Sequence, residues 1–350
     1  MPLFTDLLPD HPISVEHAMR IAGDAAERAR GTTRPNPPVG CVILDTAGVP
    51  RAVAATEPAG GPHAEAQALA AAGDWASGGH AVVTLEPCHH QGRTPPCTGA
   101  LVQAGVTALT FAVADPNPIA AGGADWLASR GLDVTRGLLA EATANAALRP
   151  WLHVQATGRP HITLKTAATV DGRAAATDGT SQWITGPAAR RRVHVDRSRR
   201  DAIIVGTGTV HTDDPRLTAR GADGTPLGNQ PLRVVVGRSD VPQDAAIRAG
   251  GKRFLHLPTR DLTEVVAALM ERGIMDVLIE GGPRLAGAFL RADLVDAIES
   301  YIAPAVLGAG TTTVDTGVEN TIAEITRFRT IRVDRLGDDV LIRAVRGADD

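Results

Sequence analysis

TLEPCHHQGRTPPC, residues 84–97, holds two Pro-Cys pairs, and PHAEAQAL (62–69) lies upstream of it. His63, Cys88 and Cys97 together offer one imidazole and two thiols, a soft nitrogen-and-sulfur set suited to zinc. Three protein ligands leave a fourth position for water, the arrangement of a catalytic rather than a structural zinc site. Residues two apart do not share a helix face, so His63 and Glu65 can address one metal only from a helix tip. Gly60-Gly61-Pro62 ends the preceding segment and the alanine-rich AEAQALAAA starts a helix there. Cys88 and Cys97 each follow a proline, which suits the first turn of a helix, where the dipole helps hold a thiolate. A structural zinc would need a fourth ligand, for which His80, His89, His90 and Cys41 are the candidates.

His-x-Glu followed by Pro-Cys and a second Cys is the pattern of zinc-dependent base deaminases, with Glu65 placed to move protons rather than to bind metal. Composition narrows the substrate. Thirty-five Lys and Arg against 39 Asp and Glu give a net charge of −4, without the basic footprint of a nucleic-acid binder. Five Phe, four Trp and one Tyr are too few for a base-stacking platform. With three cysteines, two assigned to metal, a reducing cytoplasm is expected rather than a disulfide framework. No apolar stretch reaches membrane-spanning length and the first residues lack a basic leader, so no membrane partner is expected.

At 350 residues the chain is expected to hold two α/β domains, 1–148 and 150–350, with Arg149-Pro150-Trp151 at the boundary and Gly158-Arg159-Pro160 starting the new domain. In the first, residues 14–30 form an amphipathic helix capped by Ser14. VGCVIL (39–44) is a strand that turns at Ala47-Gly48 into a second. HAVVTL (80–85) and TALTFAV (107–113) are strands on either side of a helix at 96–104. In the second, the expected strands are 161–169, 201–210, 232–236, 253–257 and 276–280. Helices are expected after 185 and at 261–273 and 284–291, with antiparallel strands from 294 onward. Arg190, Arg191, Arg192, Arg197, Arg199 and Arg200 read first as a solvated helix face and second as an anion site. The glycine pair Gly281-Gly282 at a strand–helix junction can seat a phosphate. No Gly-x-Gly-x-x-Gly follows a strand, so a Rossmann domain is not supported.

The motifs RPNPPVGCVI (34–43), PHAEAQAL, TLEPC-x-H-x-GRTPPC and ADPNP (114–118) resemble the deaminase half of the bifunctional riboflavin-biosynthesis deaminase/reductase family. LKTAATVDGRAA (164–175), SQWITG (181–186), TGTVHTDDPRLTAR (207–220) and IEGGPRLAGAFL (279–290) resemble its reductase half. The resemblance implies a cytidine-deaminase-like α/β/α domain followed by a dihydrofolate-reductase-like α/β domain. It also implies zinc and NADPH as cofactors and a small phosphorylated pyrimidine as substrate, first deaminated and then reduced at its ribosyl group. A homo-oligomer is expected. The eight-residue spacer between Cys88 and Cys97 separates this family from deaminases with Pro-Cys-x-x-Cys. His89 stands where the family usually has serine.

Residue by residue, the resemblance implies deaminase-substrate contacts from Asn36, His90 and Arg93. On the reductase substrate side it implies Lys165, Asp171, Ser181, Arg197, Leu217, Arg220 and Glu280, with the arginines meeting the phosphate. The NADPH side is Ala167, Trp183, Thr209, Asp213 and the run Gly282, Pro283, Arg284, Leu285, Ala286, Gly287, Ala288. Gly237-Arg238 stands where the family often has Asp-Ser, and Arg238 suits the cofactor's 2′-phosphate. Two other classes compete, a nucleic-acid base deaminase and a non-catalytic binding protein. Low charge and scarce aromatics speak against the first, and the intact His63, Glu65, Cys88 and Cys97 against the second.

Overall fold

The computed structural model describes residues 4–92, 95–317 and 321–347. The chain forms two compact units, Met1–Gly158 and Arg159–Asp350. Among the described residues, no helix is long and apolar enough to cross a membrane.

The first unit is a five-stranded sheet of order β2-β1-β3-β4-β5. Its strands are β1 (Gly40–Leu44), β2 (Pro50–Ala55), β3 (His80–Leu85), β4 (Ala108–Val113) and β5 (Asp133–Arg136). β1 runs antiparallel to both its neighbours and β3, β4 and β5 are parallel. Helix α1 (Val15–Ala29) is capped by Ser14, whose Oγ accepts from the His17 N–H at 3.1 Å. Its buried stripe of Ala18, Ile21, Ala22 and Ala25 packs on Val42, Leu44 and Val53. Alternation along β1 sends Cys41 and Ile43 to the opposite face. Helix α2 (Ala64–Ala72) starts right after His63 and is tied to β2 by Gln67, whose amide donates to Ala55 O at 2.7 Å. Helices α3 (Cys97–Gln103), α4 (Gly123–Ser129), α5 (Ala140–Ala144) and α6 (Arg149–Thr157) complete the unit. A Cβ on Gly123 would stand 2.0 Å from Pro87 O, so only glycine lets α4 come this close to the Cys88 loop.

Two local expectations change here. Cys88 is not on a helix but in the loop after β3, because Pro87 and the long spacer break the chain before α3 begins at Cys97. The stretch expected as a boundary at 149–151 is the first turn of α6, Pro150 occupying a first-turn position that tolerates its missing N–H. The division falls after Gly158, a left-handed cap of α6 with φ +71°, at the Gly158-Arg159-Pro160 segment expected to start the new domain.

The second unit is built on an eight-stranded sheet of order β10-β9-β8-β11-β6-β12-β15-β14. The strands are β6 (His161–Thr169), β8 (Ala202–Gly206), β9 (Leu232–Val236), β10 (Phe254–Leu257), β11 (Asp276–Ile279), β12 (Ala297–Ala303), β14 (Phe328–Leu336) and β15 (Asp339–Arg346). A small ribbon pairs β7 (Arg173–Ala175) with β13 (Thr311–Thr312). From β10 to β12 every pairing is parallel, and only β15 and β14 add antiparallel partners. β12 therefore departs from the antiparallel tail expected beyond 294, since it joins β6 in parallel register. The runs AIIV, VVV and DVLI are apolar throughout because the sheet buries both faces. Ile204, Val236 and Ile279 meet helices α9 (Leu262–Met270) and α10 (Pro283–Arg291). Ile203, Val205 and Leu278 pack the other way. Two further helices shape the cleft, α7 (Pro187–Ser198) and α8 (Thr207–Asp213). The strand expected over 201–210 ends at Gly206, and its last residues form α8 instead.

Of the six arginines read first as a solvated face, only Arg191 is exposed. Arg200 is 3% exposed and ion-paired to Asp276 at 2.8 Å and Glu299 at 2.7 Å. The spacing is helical, but the chain ends α7 beneath the sheet, where each buried cation meets a carboxylate.

Candidate active sites

The first site stands where β3 ends and α2 and α3 begin. His63 caps α2, Cys97 opens α3, and the loop after β3 carries Cys88 to both. Their ligand atoms all lie within 4.8 Å of one another. His63 Nδ1 is 3.3 Å from Cys97 Sγ and 3.7 Å from Cys88 Sγ. The edges of a tetrahedron drawn around zinc at its usual bond lengths are about 3.5–3.8 Å, so the donor set fits that ion. Among the described residues no other His, Cys, Asp or Glu joins the group. Cys41 is fully buried in β1, His80 bonds Thr110, and His89 bonds Thr98, so none of these supplies a fourth ligand.

Glu65 sits in the first turn of α2 and is 4% exposed. Burial first, then the negative Cys88 sulfur, pushes it up to about 6. The hydrogen bond from Cys97, with His63 reinforcing it against burial, brings Cys88 down to about 4, while Cys97 is driven up by the same bond and by burial. The His63 ring is raised by its bond to Cys88.

A cavity of about 430 Å³ opens on this cluster, and His63, Glu65, Cys88, Asn36 and His90 all line it. Its volume suits one nucleotide-sized ligand. Arg93 lies outside the described residues. Sequence reasoning missed Glu86, whose carboxylate accepts from the Asp115 N–H at 3.2 Å and the Ala124 N–H at 3.0 Å. That clamp holds the 114–118 turn at the cavity wall. It also missed Trp151 and Gln155 of α6, which line the cavity from the segment taken for a boundary. The signal was present: Trp151, Leu152 and Val154 follow a proline in a run free of glycine.

The second site is a cleft of about 1360 Å³ along the ends of the parallel strands, roomy enough for a cofactor and a substrate together. Helix α7 turns Arg190, Val193, His194 and Arg197 toward it, the i, i+3, i+4, i+7 stripe of one helix face. Arg197 does not reach outward. Its guanidinium holds the Glu280 carboxylate at 2.7 and 2.9 Å, and Lys165 approaches the same group at 3.6 Å. Burial alone would raise Glu280, but the Arg197 charge and then Lys165 overcome it and hold it at about 2. His194, overlooked in the sequence, donates from Nδ1 to Thr218 O at 3.0 Å. Burial and the nearby Arg197 lower its affinity for a proton, leaving Nε2 as an acceptor. Arg220 donates to Thr218 Oγ1 at 2.9 Å and stays on the wall.

Ser181, Ala167, Trp183, Thr209 and Asp213 also line this cleft, as do Gly282, Pro283, Arg284, Leu285 and Ala288. Thr209 Oγ1 accepts from the Gly282 N–H at 3.2 Å, which joins the two glycine-bearing turns. Burial raises the Asp213 carboxyl. Five expected residues are elsewhere. Ala286 and Gly287 face the core side of α10, and a Cβ on Gly287 would meet Asp315 O at 1.9 Å. Leu217 is buried in the core with φ +49°. Asp171 accepts from the N–H groups of Leu307 and Gly308 at 3.2 and 2.7 Å, closing a turn away from the cleft. Arg238 is exposed and outside the lining, where Gly237, Ser239 and Arg260 stand instead.

A zinc-deaminase unit joined to a separate nucleotide-binding reductase unit is the class that these folds and sites define. Residues 13–113 match the family described as the cytidine and deoxycytidylate deaminase zinc-binding region, and 160–342 match the RibD C-terminal domain. The chain is 50% identical to riboflavin biosynthesis protein RibD of Mycobacterium tuberculosis over 95% of its own length and 97% of that protein's. With the Escherichia coli RibD the identity is 38%, covering 94% of this chain and 99% of that one. The solved deaminase/reductase of Thermotoga maritima superposes with a TM-score of 0.84 at 28% identity, over 95% of this chain and 99% of that one. The chain belongs to the RibD family of riboflavin biosynthesis proteins, bifunctional deaminases and reductases.

Proposed function

We propose that the first unit hydrolytically deaminates 2,5-diamino-6-ribosylamino-4(3H)-pyrimidinone 5′-phosphate and that the second reduces the ribosyl group with NADPH to give 5-amino-6-(5-phosphoribitylamino)uracil. The observation that carries this reading is the joint placement of His63, Cys88 and Cys97 against a buried Glu65 in one cavity. It is supported by a second cleft, in the other unit, built from the strand ends. The Thermotoga maritima relative is a diaminohydroxyphosphoribosylaminopyrimidine deaminase and 5-amino-6-(5-phosphoribosylamino)uracil reductase, which supports this pair of reactions.

His63, Cys88 and Cys97 are the zinc ligands in this reading. A zinc ion bound by them would lower the pKa of its water to near 7 and so provide the nucleophile. Glu65 would carry the water's two protons in turn, the first to the ring nitrogen and the second to the departing amino group, which leaves as ammonia. Burial favours the protonated form of that carboxyl, which suits a group that both takes up and gives back a proton. Asn36 and His90 orient the pyrimidine, and Arg93 the phosphate.

In the second unit Lys165, Ser181 and Arg220 face the substrate, while Glu280 fixes Lys165 rather than meeting the ligand itself. Ala167, Trp183, Thr209, Asp213 and the 282–285 turn would hold NADPH, which would supply the hydride. The same reading has the chain working in the cytoplasm as a homo-oligomer, with no nucleic-acid or membrane partner. Light scattering tests the oligomer, and a single-chain mass would overturn it. The function itself is tested by supplying the diaminopyrimidine with and without NADPH. Ammonia release in both cases and NADPH oxidation only after it are expected; ammonia release that requires NADPH overturns the reading.

A further inference from the structure

The parallel strands of the second unit lay the cleft's residues out in a row. Arg260 follows β10, Gly237 and Ser239 follow β9, Thr207 and Thr209 follow β8, and Gly281-Gly282 follows β11. At the other end, Leu164 pairs with Ile279, which puts Lys165 level with Glu280, and Tyr301 pairs with Ala167. The sheet order makes this a spatial sequence, β10, β9, β8, β11, β6, β12. Four strand steps from β10 to β6 span about 19 Å, a length for an extended dinucleotide rather than a mononucleotide.

The polar groups divide along that row. Lys165, Arg197, His194 and Glu280 gather at the β6 end, where the reducible sugar must meet the nicotinamide. The glycine turn 281–282 and the start of α10 occupy the middle, where backbone N–H groups suit a diphosphate. The adenosine half is left with the β9–β10 end. There a ribose 2′-hydroxyl would call for a carboxylate acceptor and a 2′-phosphate for a cation. The lining supplies Arg260 after β10 and Ser239 after β9, while its two carboxylates, Asp213 and Glu280, follow β8 and β11. Arg238, the residue the sequence suggested, does not line the cleft.

We propose that Arg260, with Ser239, forms the subsite for the 2′-phosphate of NADPH and sets the preference of this chain for NADPH over NADH. The proposal rests on the NADPH reading of the cleft. It names a residue that the RibD motifs do not contain.

Calorimetric titration of the full-length protein with NADP⁺, NAD⁺ and adenosine 2′,5′-bisphosphate tests it without recourse to turnover. Wild type should prefer NADP⁺. R260A should weaken NADP⁺ and the bisphosphate roughly ten- to a hundredfold, the effect of losing one charge-assisted contact, and leave NAD⁺ nearly unchanged. R260K should keep part of the preference, since lysine retains the charge without the fork. Equal loss of NADP⁺ and NAD⁺ in R260A would overturn the proposal, as would an unaltered preference there or its loss in R238A instead. A wild-type protein that binds NADP⁺ no better than NAD⁺ would overturn the NADPH reading itself, and the subsite with it.

Discussion

The Arg197 guanidinium grips both oxygens of the Glu280 carboxylate, from Nε at 2.7 Å and Nη2 at 2.9 Å. Both side chains are largely buried, 15% and 5% exposed. An arginine expected to meet the substrate's phosphate is thus already neutralised by a residue expected to be its neighbour there. The pair stiffens the wall that presents Lys165 and His194. Removing one partner leaves the other charge buried, which costs about 3–5 kcal/mol, whereas removing both costs much less. R197A should therefore lower the urea midpoint of unfolding more than R197A/E280A does. Equal midpoints would mean that the pair is not coupled.

The same pair gives a pH dependence with a definite sign. Glu280 is held at about 2 in the folded chain against an ordinary value of 4.5. A depressed carboxyl contributes stability that is complete above its unfolded value and is lost as pH falls toward the folded one. That contribution is on the order of 3 kcal/mol. Chemical unfolding followed from pH 5 down to about 2.5 should show wild type losing stability more steeply than E280Q, which has no proton to take up there. Parallel curves would remove Glu280 from the acid response.

His89 makes an unusual position legible. Its Nδ1 bonds Thr98 Oγ1 at 3.0 Å, and its ring lies 4.7 Å from the Trp126 ring. The Cys88 loop is thereby fastened to the helix that begins at Cys97. H89S should keep the three zinc ligands and release zinc to a colorimetric chelator roughly three- to tenfold faster, the weight of one lost hydrogen bond. An unchanged release rate would mean that Pro87 and the 120–124 backbone hold the loop unaided.

What the sequence made legible was whatever is local. The helix tip carrying His63 and Glu65, the strand delivering Cys88, and the β-branched runs of both sheets follow from periodicity, proline and glycine. The class of chemistry followed from ligand type and spacing alone. What escaped was set by packing at long range. Arg197 and Arg200 have the spacing of a solvated face, and nothing local says that Glu280, Asp276 and Glu299 wait beneath them. Leu217 and Asp171 share motifs with cleft residues, yet one turns into the core and the other closes a loop. Trp151 and Gln155 were hidden because Arg-Pro-Trp reads as punctuation when it is the start of α6. Arg260 lies outside every motif and enters the cleft only through the strand order.

Loss of zinc and loss of the proton carrier should be separable. C88S and C97S each remove one of three ligands and should lose metal and ammonia release together. Gln in place of Glu65 keeps the shape and the first turn of α2 but cannot carry a proton. E65Q should therefore retain stoichiometric zinc by atomic absorption while ammonia release falls about 10²–10⁴-fold. Near wild-type release in E65Q would remove Glu65 from the proton path, and full zinc in both serine variants would remove the ligand assignment.

The last prediction concerns the independence of the two chemistries. Glu65 belongs to a cavity lined wholly by residues of the first unit, and Lys165, Arg220 and Glu280 to a cleft lined wholly by the second. Each unit has its own sheet and its own buried core. On the assignment of one chemistry to each unit, a change confined to one wall should leave the other chemistry intact. E65Q should then oxidise NADPH at the wild-type rate when the already deaminated intermediate is supplied. R220A should do the reverse, slowing that oxidation roughly ten- to a hundredfold, as expected for one charge-assisted phosphate contact, while ammonia release stays near wild type. Thermal unfolding of both variants beside wild type separates a lost contact from a lost fold. If E65Q, folded and zinc-loaded, also failed to oxidise NADPH on the intermediate, the two activities would share a site and the assignment of one chemistry to each unit would fall.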